Sequence, residues 1–422
     1  MTERLLHYIW QFQYFNTRNL QTSQGEPLQI FHSGSYNSNQ GPDFLNSKIR
    51  IGETTWAGNI EIHIKASDWQ THNHSSDLNY QNVMLHVVWN NDIGDVLPFP
   101  TLELQQYVSS ILLDRYEELI QSAQFIPCQH HIQHVSALSF TAWKERLLVE
   151  RLQQRATGIQ KMLEANKQHW EETFWWILAR NFGVKINNDA FEKIARSIPL
   201  SILAKHKNQV QQLEALLMGQ AALLDKIFED DYPNMLRREY VFLQKKYGLR
   251  KAHAPLYFLR MRPANFPTIR LAQLAMLVHE SHHLFSLIKE AQNIQDVKNL
   301  FAVVANDYWH YHYMFDEQTT FKKKILGEQM IQNIFVNSIV PVLYAYGLIN
   351  NSERYKEKAI LWMEQLTAEK NSITKGFEQL GIDNASAFDS QALIQLKNVY
   401  CNYKLCLQCA VGNQVLKGEI LN

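Results

Sequence analysis

Leu5, Leu6, Ile9, Trp10 and Phe12 recur at helical spacing and share one broad face, which predicts an opening helix over residues 3–15. The texture then changes to short runs broken by turn residues. Residues 27–32 alternate, and 33–41 are rich in Ser, Asn and Gly and read as loop. Residues 47–51 read as a strand, Gly52-Glu53 as a turn, and 54–58 and 59–65 as further strand. VMLHVVW at 83–89 predicts a buried strand, and 97–104 another. From about residue 111 the period is helical almost to the end, with long segments over 140–166, 170–181, 209–224, 269–291 and 329–346. Gly183, Pro233, Gly248, Pro263, Pro267, Pro341 and Gly381 punctuate it, and no fixed-period repeat is seen. The pattern predicts an α+β chain: an α/β module over 1–112, then an all-α helical region over 113–422.

Composition narrows the class. With 422 residues and 46% hydrophobic positions, the chain has apolar surface for two or three domains, which excludes disorder and collagen. Only 4 Cys exclude a disulfide-stapled scaffold. No run of 18 apolar residues predicts a membrane span, and MTERLLHYIWQFQ shows no cleavage site of secretory type. A cytoplasmic protein without a membrane partner is expected. The neutral total hides an asymmetry. Residues 1–120 carry six basic against thirteen acidic side chains, near −7, and the remainder carries 35 against 28, near +7. An acidic segment is joined to a basic one, a distribution that suits a carboxylate metal site beside a surface tolerant of polyanions.

The densest chemistry lies in GPDFLNSKIRIGETTWAGNIEIHIKASDW. Along a strand alternate residues share a face, so Glu61, His63 and Lys65 point one way and Ile60, Ile62 and Ile64 the other. If residues 44–51 and 59–65 pair as a hairpin, Asp43 approaches Glu61, and two close carboxylates favour Mg²⁺ or Mn²⁺. His63 or Lys65 would then handle the attacking water and the phosphate charge. This segment resembles the PD-(D/E)XK phosphodiesterase superfamily, whose fold runs helix, three strands, helix, strand. The order here is similar, with a short helix expected at 77–82. The resemblance implies that Pro42-Asp43 is the PD element, that Glu61 is the second acidic metal ligand, and that nucleic acid is the substrate. The lysine usual two residues after that glutamate is replaced by His63, with Lys65 two further on. Glu3 is a candidate extra acidic ligand.

A different reading comes from DWQTHNHSSDLNYQNVMLHVVW, where His72, His74, Asp77 and His86 join His63. His-x-His is a common metal-ligand spacing, and the group suits Zn²⁺, Fe²⁺ or Mn²⁺ on a β framework of hydrolase or oxygenase type. The plain alternative is that these histidines cap a loop and pack on a strand. The cysteines form a second constellation. Cys401, Cys406 and Cys409 follow C-x4-C-x2-C, and Cys128 sits upstream in IPCQHH, where His130 or His131 could replace it. Four thiolates suit Zn²⁺ or an iron–sulfur cluster. The layout resembles, with different spacing, the upstream-plus-three-C-terminal cysteines that staple some helicase- and CRISPR-associated nucleases. Buried, inert thiols on a helix are the alternative.

HESHH at 279–283 satisfies H-E-x-x-H, which on one helix would place His279 and His283 together with Glu280 as base. Its surroundings read as a packing helix, and Glu290 and Asp296 are third-ligand candidates by distance alone. Basic clusters occur at Lys245, Lys246, Arg250 and Lys251, at Arg260, Arg262 and Arg270 around PANFP, and at Lys322–Lys324; they suit either nucleic-acid contact or an ordinary helix surface. Across nearly its whole length the chain resembles domain-of-unknown-function family 2851, through LLHYIW, GPDF, GNIEIH, DWQTHNH, LHVVW, LARNFG, RPANFP with RLAQLA, and DSQALIQLKNVYC with CLQC. That resemblance implies one architecture and no activity. The expectation is a Mg²⁺- or Mn²⁺-dependent nuclease. The alternatives are a non-catalytic nucleic-acid-binding scaffold on the same fold and a His-ligated metalloenzyme.

Overall fold

The computed structural model describes residues 1–281 and 283–418. Helix α1 (Glu3–Gln11) starts at Thr2, whose hydroxyl accepts the Leu5 N–H, and it buries Leu5, Leu6, Tyr8, Ile9 and Trp10. It ends before Phe12, which is exposed. Six strands follow: β1 (Leu28–His32), β2 (Ser35–Tyr36), β3 (Phe44–Ile51), β4 (Thr54–Lys65), β5 (Val83–Asn90) and β6 (Thr101–Glu103). The two strand predictions at 54–58 and 59–65 are one continuous element, and that at 97–104 shrinks to β6.

The sheet order is β1-β3-β4-β5-β6, with β2 also paired to β3. β1, β3 and β4 are antiparallel neighbours, whereas β4–β5 and β5–β6 are parallel. A parallel pair needs a crossover. That between β4 and β5 holds the one-turn helix α2 (Asp68–Thr71) and 3₁₀ turns at His74–Ser76 and Leu78–Tyr80, which replace the helix expected at 77–82. β4 and β5 both lie inside the sheet, and Ile60, Ile62, Leu85 and Val87 are buried on one face while Glu61, His63 and His86 are buried on the other. Gly58 permits this closeness, because a Cβ there would lie 2.9 Å from the Asn82 carbonyl oxygen.

Contacts divide the chain into two compact units, residues 1–143 with 379–382 and 395–422, and residues 144–378 with 383–394. Relative to the boundary expected at 112/113, the first unit extends further and takes in the C-terminal cysteine segment. The second unit is helical, with Phe174, Phe182, Phe191, Trp309, Phe335 and Trp362 fully buried. Its longest apolar helix, Glu328–Ile349, carries a π-helical turn over Phe335–Ile339; it is long and apolar enough to cross a membrane, but most of it is buried in the unit's own core. The helix expected over 269–291 is two, Pro267–Glu280 and Leu284–Glu290: Ser281 is extended after the first, and His283, with φ +47, precedes the second.

Candidate metal centre

Strand register builds this site. Phe44 pairs with Ile60, so Asp43 and Glu61 each lie one step beyond that pair. The Asp43 N–H donates to Glu61 Oε2 at 3.1 Å, and the Ile62 N–H donates to Asp43 Oδ2 at 3.0 Å. On the other side of β4, parallel pairing sets Glu61 beside His86, and His63 Nδ1 lies 2.9 Å from His86 Nε2. The crossover then returns two more imidazoles. His72 follows α2, Asn73 reverses the chain at φ +56, and His74 opens the next turn. His72 Nδ1 is 3.1 Å from His63 Nε2; His74 Nε2 is 3.3 Å and His63 Nε2 3.5 Å from Glu61 Oε1. One donor atom from each of His63, His72 and His74 lies within 4.8 Å of the others.

Burial sets the electrostatics. It pushes the Glu61 carboxyl well above the usual carboxylate range, the Asp43 charge adds to this, and Glu3 contributes a smaller push. His63 is driven down to about 2 by burial and then by His86, His72, His74 and His7. His86 is driven down to about 4 by burial and His74, and His74 is lowered chiefly by burial. Burial thus favours the neutral forms of His63, His74, His86 and Glu61. His7 Nδ1 and His86 Nδ1 are buried with no hydrogen-bond partner, and His74 Nε2 is buried with only the Glu61 carboxyl beside it, a costly state that a bound ion or its water would relieve. Imidazoles with carboxylates suit Mn²⁺, Zn²⁺ or Fe²⁺ better than Mg²⁺, which prefers oxygen. Neutral imidazole, the form that burial favours for His63, is the form able to coordinate an ion.

Of the residues singled out in the sequence, Asp43, Glu61, His63, His72, His74 and His86 converge. Lys65 does not join them: it is exposed at the end of β4, its N–H donates to Asp68 Oδ2 at 3.0 Å, and its charge acts on Asp92. Asp77 caps a 3₁₀ turn through the Asn79 N–H. The H-E-x-x-H reading fails on geometry, because the helix ends at Glu280 and His279 Nδ1 meets the Lys207 carbonyl; His282 lies outside the described residues. Sequence reasoning missed His7 and Tyr80. His7 Nε2 lies 3.2 Å from Asp43 Oδ2, and its signal was the four-residue spacing from Glu3 on one helix face. Tyr80 stacks on His74 with ring centroids 3.9 Å apart, and its hydroxyl is pushed up to about 12 by burial and then by Glu61 and Asp43.

Cys128, Cys401, Cys406 and Cys409 line one small cavity with Pro127, Tyr400, Leu405 and Gly412. All four are free thiols. Burial and the neighbouring thiols raise Cys128, Cys401 and Cys406, and burial raises Cys409. The Val411 and Gly412 N–H groups and the Trp143 side chain oppose that rise at Cys409. Gly412 is required for close approach, since a Cβ there would lie 2.2 Å from the Cys406 carbonyl oxygen. His131 pairs with Glu118 at 3.3 Å and His130 is exposed, so Cys128 keeps its place in the cluster.

Among known families, a model described as "Protein of unknown function (DUF2851)" matches residues 3–372. No curated protein and no solved structure matches the chain.

Proposed function

The chain belongs to the protein family of unknown function DUF2851, and from the geometry of its histidine–carboxylate centre we propose a metal-dependent phosphodiesterase acting on nucleic acid. The observation that carries this reading is the meeting of Asp43 and Glu61 with His63, His72 and His74 on one sheet face. The element order α1, antiparallel β1–β3–β4, short crossover helix and parallel β5 supports a PD-(D/E)XK-like frame. A non-catalytic scaffold would leave Glu61 exposed and apart from Asp43, whereas Glu61 is buried and bonded to it.

In this reading Asp43, Glu61, His63, His72 and His74 hold the ion, and the donor set favours Mn²⁺ over Mg²⁺. A divalent ion there supplies Lewis-acid activation of a water and neutralises phosphate charge. His86 fixes the His63 ring through Nδ1, and His7 steers the Asp43 carboxylate. Tyr80 covers His74 and keeps its phenol protonated beside the two carboxyls.

The test strips metal from the full chain, restores Mn²⁺, and offers single- and double-stranded DNA and RNA. Cleavage by the parent, lost in Asp43→Asn and Glu61→Gln, supports the proposal. Parent-like cleavage by either variant, or an inert Mn²⁺-loaded parent, overturns it. The convergent imidazoles also favour a second reading, a His-held iron centre of oxygenase type. Iron retained by a parent that cleaves nothing would select that reading.

We also propose that the four thiols hold a thiophilic centre, Zn²⁺ or an iron–sulfur cluster. Four cysteines lining one cavity, without a carboxylate in that lining, support this. Such a centre would tie residue 128 to the C-terminal segment within the first unit.

A further inference from the structure

The second unit contains a cavity whose charge no reading so far explains. It is lined by Arg262, Arg270, Lys322, Lys323 and Lys324, with the amides of Asn265, Gln273, Gln329 and Asn333, and by no Asp or Glu. Two of these cations are almost fully buried: Arg270 is 7% exposed and Lys324 4%. The helix Pro267–Glu280 carries Arg270 in its first turn, and its guanidinium donates to Gln273 Oε1 at 2.8 Å and to Asn265 Oδ1 at 2.6 Å. Its Nε is buried and has no partner. Gln273 in turn donates to the Ile325 carbonyl at 3.0 Å, which holds the 322–327 segment against this helix. Lys324 donates to the Lys322 carbonyl at 3.1 Å and lies 3.8 Å from the centre of the Tyr313 ring.

Among the described residues no ion pair joins any of the five cations to a carboxylate. Glu328, next to the lining, is paired with Lys298 at 2.8 Å instead. Burying a guanidinium against neutral amides alone is expensive, because its charge is left uncompensated. Burial alone pushes Arg270 down to about 10, and burial followed by Lys322 lowers Lys324. A multiply charged anion removes that cost. Arg270, with an unpartnered Nε beside engaged Nη groups, offers a planar donor edge, and the exposed Arg262, Lys322 and Lys323 add charge at the rim.

We propose that this cavity binds a phosphate-bearing anion of two or more charges. The chemistry is shared by a small polyphosphate and by successive phosphates of a nucleic-acid strand. The site is independent of the histidine centre, and its failure would leave the phosphodiesterase reading standing.

The test titrates the full chain, kept free of divalent metal, with pyrophosphate and with a 20-nucleotide single strand at low and moderate salt. Calorimetry or ³¹P NMR reads the binding. Saturable binding of pyrophosphate, or of the strand with steep salt dependence, is expected. The Arg262→Ala/Lys323→Ala double variant, which touches only exposed rim residues, should fold with an unchanged Tm and bind about tenfold or more weakly, about 1.4 kcal/mol. Arg270→Lys keeps the charge but loses the planar edge and should also weaken binding. Pyrophosphate binding alone assigns a small-molecule ligand, and strand binding alone assigns nucleic acid. No binding of either probe by the parent at millimolar concentration overturns the proposal, as does unchanged affinity in the folded double variant.

Discussion

Asp43 gives its backbone N–H to the Glu61 carboxyl at 3.1 Å and receives the Ile62 N–H on its own carboxylate at 3.0 Å, so each acid is held by the other's strand. This reciprocal tie makes the pair rigid before any ion arrives. It also keeps Glu61 buried, and burial keeps it protonated. An ion that takes Glu61 as a ligand must displace that proton. Mn²⁺ binding is therefore expected to release protons and to strengthen as pH rises through the neutral range, by up to about tenfold per unit for one proton. Calorimetry in two buffers of different ionisation enthalpy measures the release. Glu61→Gln should abolish both the release and the tight site; pH-independent affinity in the parent would remove Glu61 from the ligand set.

His74→Ala and Lys65→Ala should behave oppositely. His74 places a buried nitrogen 3.3 Å from Glu61 Oε1, whereas Lys65 is exposed and acts on Asp92. The His74 variant should lose about 10- to 100-fold in Mn²⁺ affinity, and the Lys65 variant should match the parent. A parallel loss in Lys65→Ala would restore the lysine role expected from the sequence.

These two residues show what was legible. Alternation along GNIEIHIK put Glu61, His63 and Lys65 on one face, and the structure keeps the first two there. Alternation says nothing about where a strand stops being covered, and Lys65, though still paired with Asn90 of β5, lies exposed at the end of β4. Asp43 with Glu61 was readable because a hairpin sets register locally. His72 and His74 were visible only as a spacing, since their placement depends on a left-handed turn at Asn73 inside a long crossover. His7 sits on another element: its spacing from Glu3 marks a shared helix face, but not that this face of α1 meets Asp43 just before β3. The helical region was readable as helical, but its breaks were not: HESHH was visible only as a polar interruption of one long segment over 269–291, while His283 adopts a left-handed conformation that ends that continuity.

The cysteine cavity makes its own prediction. Protein purified anaerobically should carry about one zinc, or iron with acid-labile sulfide, and Cys401→Ser should lose it. The histidine centre can also take zinc, so His63→Ala is the control and should keep the sulfur-bound metal. X-ray absorption on the parent should show sulfur neighbours near ~2.3 Å. A shell of nitrogen and oxygen, or metal retained by Cys401→Ser and lost from His63→Ala, would mean that the thiols only pack.

Glu214 in the second unit gives a pH prediction free of any ligand. It is fully buried; Tyr232 Oη and Trp309 Nε1 donate to its Oε2 at 2.8 and 3.1 Å, while Oε1 has no partner. The two donors favour the carboxylate, but burial outweighs them and pushes the group up to about 7 from an ordinary 4.5. Below 4.5 both folded and unfolded chains hold the proton, so the group does not alter stability with pH. Between 4.5 and 7 the folded chain keeps a proton that the unfolded chain has released, so stability falls as pH rises, by about 3 kcal/mol in total. Above 7 both states are ionised and the loss levels off. Glu214→Gln keeps the acceptor for Tyr232 and Trp309 and cannot ionise. Its stability relative to the parent, followed by urea unfolding from pH 4.5 to 8, should therefore improve steadily through this window and then stay constant. A difference independent of pH would mean that Glu214 titrates in the folded protein as it does in water.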